Sequence, residues 1–489
     1  MLSIPAPVIH PWLETQRVAF LPREDATPLE RRVLQGLRDA FHTLGHTLYD
    51  ATPQSDTSLI FTTAPFGTPI NWREALMFTA RRRFRLQTTP TVVTVVGVTP
   101  QRFQEALQRL ETALEKTPPD PKDFAYPGMA PQAYRTLIEQ GRRGGPLLAL
   151  ERVVQAQAKS IRAILVVGEG DQPQEAYLFD LVGAYPRIRF QDPATFYTDI
   201  ALRVVTAIST EEITEHQVVP PPIPADTWAR LKAPKAMLQA GIALGERNFF
   251  TQMVRINDLV AVPAIEASIS EQYSEGCFAT WEPELPGLIT TITGSARPVA
   301  KDALTEDDLA VIVGVRPDRR GALVRHVEGK RNDPPSSEAV ELFAMDEPLP
   351  KISWEGHTVP VIRSKLHGHR GVASYDPRWV EFAPMSAAYH HYPVSCATRA
   401  QAEGIVEAFS RSEALRNPDD PRYLVFTIIP GHGLVVVEKW RPGKAPFQAI
   451  WEAMDNGILE ISPRVPQGPH SYHRQADGRM VIHTAEAHP

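Results

Sequence analysis

The sequence predicts an α/β protein with two parallel-sheet α/β domains followed by a β-rich, mostly antiparallel C-terminal domain. Three observations support this prediction. Strand-like and helix-like segments alternate through the first half of the chain, extended segments with turns dominate from about Met345, and proline-rich stretches separate these parts. A chain of 489 residues is also too long for one ordinary core. We therefore expect three domains, at residues 1–120, 121–345 and 346–489.

The first predicted domain alternates strands with amphipathic helices. Residues 28–45 carry apolar side chains at helical spacing and end at Gly45. Two further segments, 71–84 and 99–116, have the same pattern. The strands between the helices are RVAFLP, SLIFTTAPFG and TPTVVTVVGV. The last of these is β-branched on both faces, which is typical of a strand buried in a parallel sheet.

The second and third predicted domains differ in character. Residues 194–209 and 226–247 are predicted helices, and the second domain's strands are IRAILVVGEG, EAYLFDLVG, LPGLITTITG and LAVIVGV. Beyond residue 345 the extended segments are separated by turns and interrupted by one helix, Thr398 to Ser410. Such a pattern predicts antiparallel pairing.

Composition excludes several classes of protein. The formal charge of −6 disfavours nucleic-acid binding, because phosphate neutralisation needs a basic face. The N-terminus lacks the pattern of a signal peptide, and TVVTVVGV is too short to span a bilayer. Two cysteines fit a reducing compartment, so we expect a cytoplasmic protein without a membrane partner. The 46 prolines lie mostly in loops, which is compatible with a thermophilic source.

Histidine is concentrated in the last third of the chain, where eleven of fifteen occur from His326 onward. The motifs LHGHRG, YHHYP and PGHG place histidines beside glycines and strands, where a ligand can approach the backbone. They make His369, Arg370 and His432 candidate substrate-binding residues, with Lys439 available for an anion. The alternative is structural: a hairpin turn at PGHG, and packing for the adjacent histidines of YHHYP.

Acidic residues form a second candidate site in SEGCFATWEPELPGL. Glu282 and Glu284 are two residues apart, so on an extended segment they point the same way. Two carboxylates so close suit a divalent metal or a general base with a raised pKa. The alternative is a solvated loop.

Several common motifs are absent. The sequence has no phosphate-binding loop, no dinucleotide-binding glycine fingerprint and no G-x-S-x-G nucleophile elbow. Cys396 begins a helix, where a thiol can have a depressed pKa and a histidine can activate it. The alternative for Cys396 is a small buried hydrophobe. The segment from Thr62 to Arg73 leaves a strand at a ligand-binding edge, although its Asn71 can equally cap a helix.

Two motifs resemble a known family. The run SAAYHHYPVS, followed by a helix, resembles the histidine-pair segment of the L-arabinose and L-fucose isomerases, and GCFATWEPELPGLITTI resembles their glutamate-containing segment. The order of domains is also similar. The resemblance implies that Glu282 and one of His390 or His391 bind a divalent metal, usually manganese. It also implies that Glu282, Glu284 or Asp318 transfers the proton, Asp318 being the carboxylate nearest the exit of the strand LAVIVGV.

The function expected from this resemblance is metal-dependent aldose–ketose isomerisation of an open-chain sugar by a homo-oligomer. His369, Arg370, His432 and Lys439 would then hold the substrate. One alternative is a non-catalytic carbohydrate-binding or regulatory relative. Another is a metal-independent lyase or hydrolase that uses Cys396.

Overall fold

The computed structural model confirms the α/β class, with a parallel-rich sheet, a mixed sheet and antiparallel strands in the C-terminal region. It describes residues 13–49, 53–63, 91–105, 163–179, 188–209, 213–247, 249–250, 276–293, 300–386, 397–430, 432–462 and 471–483, together with Phe66, Gln108 and Tyr389. None of the helices within these ranges is long and apolar enough to cross a membrane.

The first sheet contains seven of the described strands. They are Arg17–Leu21 (β1), Thr47–Tyr49 (β2), Leu59–Thr63 (β3), Thr91–Val98 (β4), Ala163–Glu169 (β5), Gln172–Phe179 (β6) and Ile188–Arg189 (β7). Their order in the sheet is β2-β1-β3-β4-β5-β6-β7. The pairs from β2 to β5 are parallel, whereas β6 is antiparallel to both neighbours. This arrangement bears out the parallel sheet expected from the β-branched strands.

Two helices, Pro28–Thr43 (α1) and Pro193–Ser209 (α2), pack on the first sheet and on each other. The Thr27 side chain accepts a hydrogen bond from the Glu30 backbone N–H, and the Glu30 carboxylate accepts one from the Thr27 N–H, so the two residues form a capping box. The Glu30 carboxylate also accepts a hydrogen bond from the backbone N–H of Gly97, at 3.0 Å. One carboxylate therefore caps α1 and fixes it to β4.

The second sheet, here called the central sheet, contains nine of the described strands. They are Gln217–Val218 (β8), Cys277–Glu282 (β9), Gly287–Thr291 (β10), Leu309–Val315 (β11), Ala322–Arg325 (β12), Ile362–Gly368 (β15), Val380–Phe382 (β17), Leu424–Ile429 (β18) and Gly433–Lys439 (β19). Their order is β17-β18-β19-β15-β9-β10-β11-β12-β8. The six pairs from β18 to β12 are antiparallel and the two outer pairs are parallel.

Two smaller sheets complete the described strands. Lys351–Trp354 (β13) and His357–Pro360 (β14) form a hairpin. Gly371–Tyr375 (β16), Leu459–Ser462 (β20), Ser471–Arg474 (β21) and Met480–His483 (β22) form an antiparallel sheet in the order β20-β16-β22-β21. The strand β21 lies at the edge of that sheet.

Helices cover both faces of the central sheet. They are Ala225–Arg230 (α3), Ala233–Glu246 (α4), Ala339–Ala344 (α5), Arg399–Ser410 (α6), Glu413–Arg416 (α7) and Gln448–Asp455 (α8). The face covered by α4 and α8 buries Phe278, Leu366 and Val436 and is called the capping face below. The opposite face buries Cys277 and Val435 under α5 and α6 and is called the histidine face.

The sheets divide the chain differently from the predicted domain boundaries at 120 and 345. The β4–β5 pair joins residues on both sides of position 120, and the β15–β9 pair joins residues on both sides of position 345. The predicted helix over 226–247 is two helices, α3 and α4, because the backbone is extended at Leu231 and α4 begins at Ala233 with Pro234 in its first turn. The predicted helix at 71–84 lies outside the described residues.

Candidate metal centre

Three neighbouring strands bring the histidines of two separate motifs together. His367 lies near the end of β15, where it pairs with Cys277 at the start of β9 and with Val435 in β19. His369 follows β15 directly, and His432 directly precedes β19. Because β15 and β19 are antiparallel, the end of one strand meets the start of the other. LHGHRG and PGHG therefore lie side by side, although they are 63 residues apart.

Glycines allow the backbones to approach closely at this end of the sheet. A Cβ atom on Gly433 would lie 2.2 Å from the Gly368 carbonyl oxygen and 3.1 Å from the His369 Cα. A Cβ atom on Gly276, which has φ of +86°, would lie 2.5 Å from the His367 carbonyl oxygen. Both positions require glycine for steric reasons. The glycines of the motifs thus set the spacing between the histidine-bearing segments.

The three imidazoles form a compact group, here called the three-histidine cluster. One ligating nitrogen from each of His367, His369 and His432 lies within 4.8 Å of the other two. The ring centroids are 5.2 Å apart for His367 and His369, 5.0 Å for His367 and His432, and 4.8 Å for His369 and His432. All three ring pairs are steeply inclined to each other, at 64° to 90°.

The closest approach is between two ring nitrogens. The Nε2 atoms of His369 and His432 are 3.2 Å apart. A tetrahedral ion with metal–nitrogen bonds of about 2.0–2.1 Å holds two ligand nitrogens about 3.3–3.4 Å apart. The pair is therefore already at a spacing that suits a common metal ion. When no ion is bound, the same spacing suits a hydrogen bond between one protonated and one unprotonated nitrogen.

The orientation of His367 is set by the backbone. Its Nδ1 atom lies 3.0 Å from the Leu434 carbonyl oxygen. A carbonyl can only accept a hydrogen bond, so Nδ1 carries the proton and the lone pair resides on Nε2. Metal-ligating histidines usually donate their second ring nitrogen in this way, which fixes both the tautomer and the ring orientation.

Burial of the cluster is uneven. His367 is fully buried and His432 is 3% exposed, whereas His369 is only partly buried. The next residue, Arg370, is 7% exposed and donates a hydrogen bond from Nε to the Phe249 carbonyl oxygen at 3.2 Å. Access to the cluster from solvent is therefore on the side of His369.

The donor set indicates which metals the cluster suits. Three imidazoles favour zinc, copper, nickel or iron, whereas manganese and magnesium prefer carboxylate and carbonyl oxygens. Among the described residues the cluster contains no carboxylate. Three histidines around zinc, with a fourth position for water or substrate, are a common catalytic arrangement.

Glu282, the predicted metal ligand and proton carrier, lies at the other end of β9 and on the other face of the sheet. It is five residues from Cys277, so at about 3.3 Å per residue it is about 16 Å along the strand from the position opposite His367. Its Oε2 accepts hydrogen bonds from the backbone N–H groups of Lys232 at 3.1 Å and Ala233 at 3.0 Å. The carboxylate therefore caps the N-terminus of α4 and is not brought to the cluster.

The other two predicted acidic residues also lie apart from the cluster. Glu284 is exposed in the turn between β9 and β10, where its N–H donates to the Glu282 carboxylate at 3.3 Å. Asp318 lies in the turn between β11 and β12 and pairs with Arg316 at 2.6 Å. The pKa of Asp318 is lowered, chiefly by a hydrogen bond from the Arg320 backbone N–H. Neither carboxylate is placed to ligate the cluster.

Of the predicted substrate-binding residues, the structure brings together His369, Arg370 and His432 but not Lys439. The Lys439 ammonium donates to three backbone carbonyl oxygens, those of Ala414 at 3.1 Å, Asn417 at 3.3 Å and Asp420 at 2.8 Å. These bonds anchor the C-terminal end of α7 and the loop after it. The predicted ligands His390 and His391, and the predicted nucleophile Cys396, lie outside the described residues.

The histidine face also carries buried ionisable groups that the sequence motifs do not reveal. Lys365, two residues before His367, is fully buried and donates to Asp346 and to the Leu342 carbonyl oxygen. Glu341, on α5 next to Leu342, is also fully buried, and neither of its carboxylate oxygens has a hydrogen-bond partner within the described structure. Burial, and secondarily the charge of Glu338, raises the pKa of Glu341 well above its usual value. Burial therefore favours the neutral form of the Glu341 carboxyl group over the charged form.

Cys277 is held as a thiol beside the cluster. Burial raises its pKa well above the usual value, and the charge of Glu338 adds to this effect, while a hydrogen bond with the Ser336 side chain opposes it. Its sulfur is not part of the three-histidine cluster. The cluster's ligands among the described residues are therefore imidazoles alone.

Comparison with known proteins does not extend the assignment. No protein-family model matches the sequence, and no curated protein is significantly similar to it. The function of the centre must therefore be inferred from its own geometry.

Proposed function

We propose that the protein is a metal-dependent enzyme in which His367, His369 and His432 hold a divalent transition-metal ion, zinc in the first instance. The observation that carries this proposal is the convergence of three ring nitrogens within 4.8 Å at one end of the central sheet. The spacing of His369 and His432 and the backbone-oriented tautomer of His367 support it.

The chemistry follows from three ligands and one accessible side. A three-coordinate site leaves a position for water, and a bound zinc ion lowers the pKa of that water to about 7. Held by His367, His369 and His432, a zinc ion would supply a hydroxide nucleophile for esters, amides or hydratable carbonyls, or a Lewis acid for a carbonyl oxygen. Since His369 is only partly buried, a small substrate can approach from its side.

Metal content tests the proposal directly. Purified protein is stripped with chelator, loaded with zinc, dialysed and analysed, with His367→Gln, His369→Gln and His432→Gln beside wild type. We expect about one tightly held equivalent in wild type and at least a 100-fold loss of affinity in each variant. His357→Gln is the matched control, because His357 is an exposed strand histidine outside the cluster.

Activity distinguishes catalysis from storage or structural binding. Zinc-loaded wild type is expected to hydrolyse an activated ester above the rate of the chelated protein, with activity rising through the pKa of the bound water. Undiminished metal binding in all three cluster variants would overturn the proposed site. If metal binds at the cluster but no metal-dependent turnover is measured, the proposed metal site would stand. The proposal that the protein is an enzyme would then be overturned.

The second candidate function is the aldose–ketose isomerisation that the family resemblance implies. The observation that favours it is Glu341, a buried carboxyl group with a raised pKa on the same face of the sheet as His367. Isomerisation requires a group that moves a proton between adjacent carbons beside a metal-bound carbonyl. Solvent deuterium appearing at the carbon next to the carbonyl of a test sugar, and lost in Glu341→Gln, would favour isomerisation over hydrolysis.

The remaining expectations stay predictions. They are manganese as the metal, a sugar as the substrate, a homo-oligomer, a cytoplasmic location, the non-catalytic relative and the nucleophilic role of Cys396. Among these, manganese is the least compatible with an all-imidazole donor set.

A further inference from the structure

A second pair of histidines converges on the strand pair β21–β22, away from the three-histidine cluster. The Nδ1 of His473 and the Nε2 of His483 are 2.6 Å apart, and the ring planes are nearly parallel, inclined by 10° with centroids 4.6 Å apart. Both side chains are exposed to solvent. This pair is not required by the metal-dependent chemistry proposed above.

The strand register explains why the rings meet. His473 pairs with Val481, and His483 pairs with Ser471, so the two histidines are diagonal neighbours across an antiparallel pair. Diagonal neighbours lie within reach of each other when their side chains are long or aromatic. Strand alternation places Tyr472 on the opposite side, where its ring packs on Phe382. The two histidines therefore share the side of the β21–β22 pair opposite Tyr472.

Protonation limits what such a pair can do. Two imidazole nitrogens at this distance cannot both carry a proton, because a hydrogen bond needs one donor and one acceptor. At least one ring is therefore neutral whenever the contact exists. When the donor ring carries its proton on its other nitrogen, the two lone pairs face each other, and a divalent cation can bind between them.

We propose that His473 and His483 form a second, solvent-facing metal site for a borderline divalent cation such as copper, nickel or zinc. Metal–nitrogen bonds of about 2.0–2.1 Å at a right angle separate two ligand nitrogens by about 2.8–3.0 Å, so a small rotation of either ring opens the pair enough. Two imidazoles are fewer ligands than a closed site has, and solvent fills the other positions. The site is consequently weaker than the three-histidine cluster and exchanges its metal freely.

Metal titration of the whole chain tests this site separately from the cluster. The probe is copper(II) alone, added to chelator-stripped His432→Gln protein, in which the cluster is disabled. We expect one equivalent to bind and to be removed again by a chelator. Adding His483→Gln to this background should weaken copper binding at least tenfold, whereas adding His357→Gln should leave it unchanged.

Other outcomes have definite meanings. Equal copper affinity with and without His483→Gln would overturn the proposed surface site. That result would not bear on the three-histidine cluster. Equal weakening by His483→Gln and His357→Gln would mean nonspecific binding to exposed imidazoles, and would also overturn it. The single variant His432→Gln should lose the tightly bound equivalent of metal that wild type holds and should keep the weakly bound one. That result would support two independent sites.

Discussion

The two faces of the central sheet both bury ionisable side chains, but they satisfy them in different ways. On the capping face, Glu282 and Glu438 accept hydrogen bonds from backbone N–H groups at the start of helices. On the histidine face, Lys365 pairs with Asp346, Glu341 has no hydrogen-bond partner among the described residues, and three imidazoles converge at the end of the strands. The hydrogen bonds on the capping face stabilise the starts of helices, whereas the arrangement on the histidine face keeps ligating atoms close to each other.

The difference teaches how a buried acid should be judged. The sequence makes Glu282 a candidate because it lies two residues from Glu284 in a segment that resembles a metal-binding one. Its oxygens are committed to the N-terminus of α4, where backbone N–H groups and the helix dipole stabilise a negative charge. A buried carboxylate is therefore a functional candidate only after its backbone donors have been counted.

Breaking the ion pair on the histidine face should give the largest effect on stability. Burial raises the pKa of Asp346 and lowers that of Lys365, so desolvation outweighs their mutual attraction. Removal of one partner still leaves the other buried and uncompensated, so Asp346→Ala should lower the free energy of unfolding by about 3–5 kcal/mol. Urea denaturation measures this. The double variant Asp346→Ala with Lys365→Met should recover part of the loss, and no recovery would contradict the explanation.

The next largest expected effect is the pH dependence of stability that Glu438 causes. Burial raises its pKa to about 7 from 4.5, while hydrogen bonds from the Ser364 hydroxyl and the backbone N–H groups of Phe447 and Ala449, and the charge of Arg363, oppose that rise. The folded state therefore favours the protonated form. Its contribution to stability is fully present below pH 4.5 and is lost as the pH rises through about 7.

The expected size of this pH effect is about 3 kcal/mol, from a shift of about 2.5 pKa units. Glu438→Gln is the matched variant, because its carbonyl oxygen can still accept from Ser364 and Phe447. Denaturation at pH 5, 6, 7 and 8 should show wild type losing stability relative to Glu438→Gln as the pH rises. Parallel curves for the two proteins would refute the raised pKa.

Much of the fold was predictable because local patterns agree with the final structure. The apolar spacing of residues 28–43 and the capping residues Thr27 and Glu30 specify α1, and the β-branched run at 91–98 specifies a buried strand. The pairing of β9 with β15 was not predictable, because it joins segments more than 80 residues apart and depends on which faces meet. Long-range pairing also explains why the predicted domain boundaries do not coincide with the sheets.

The site was predictable in part for the same reason. The sequence motifs identified His369 and His432 through their neighbouring glycines, and the structure shows that Gly433 allows the backbone at His432 to approach Gly368 and His369 closely. Their convergence with His367 required the antiparallel register of β15 and β19. Glu341 has no local signal at all, since one glutamate in an amphipathic helix looks solvated until the helix is placed on the sheet.

Removing the carboxylate that caps α4 should have a moderate effect on stability. It should also distinguish the role of the capping face from that of the histidine face. Glu282→Ala deletes an acceptor for the Lys232 and Ala233 N–H groups, so we expect it to lower the free energy of unfolding by about 1–2 kcal/mol. Zinc content of the folded variant should match that of wild type. Loss of metal from folded Glu282→Ala would instead support Glu282 as a metal ligand and overturn the contrast between the faces.

The smallest effect is expected at Asp318. Its side chain is 43% exposed and its ion pair with Arg316 lies in a surface turn, where such pairs contribute about 0–1 kcal/mol. Asp318→Asn should keep the turn's hydrogen bond to the Arg320 N–H and change the free energy of unfolding by less than about 0.5 kcal/mol. Metal content and any metal-dependent activity should also be unchanged, as measured by elemental analysis and the ester assay. A large loss of activity with an intact fold would show that this distant turn takes part in the chemistry, which the three-histidine cluster alone does not require.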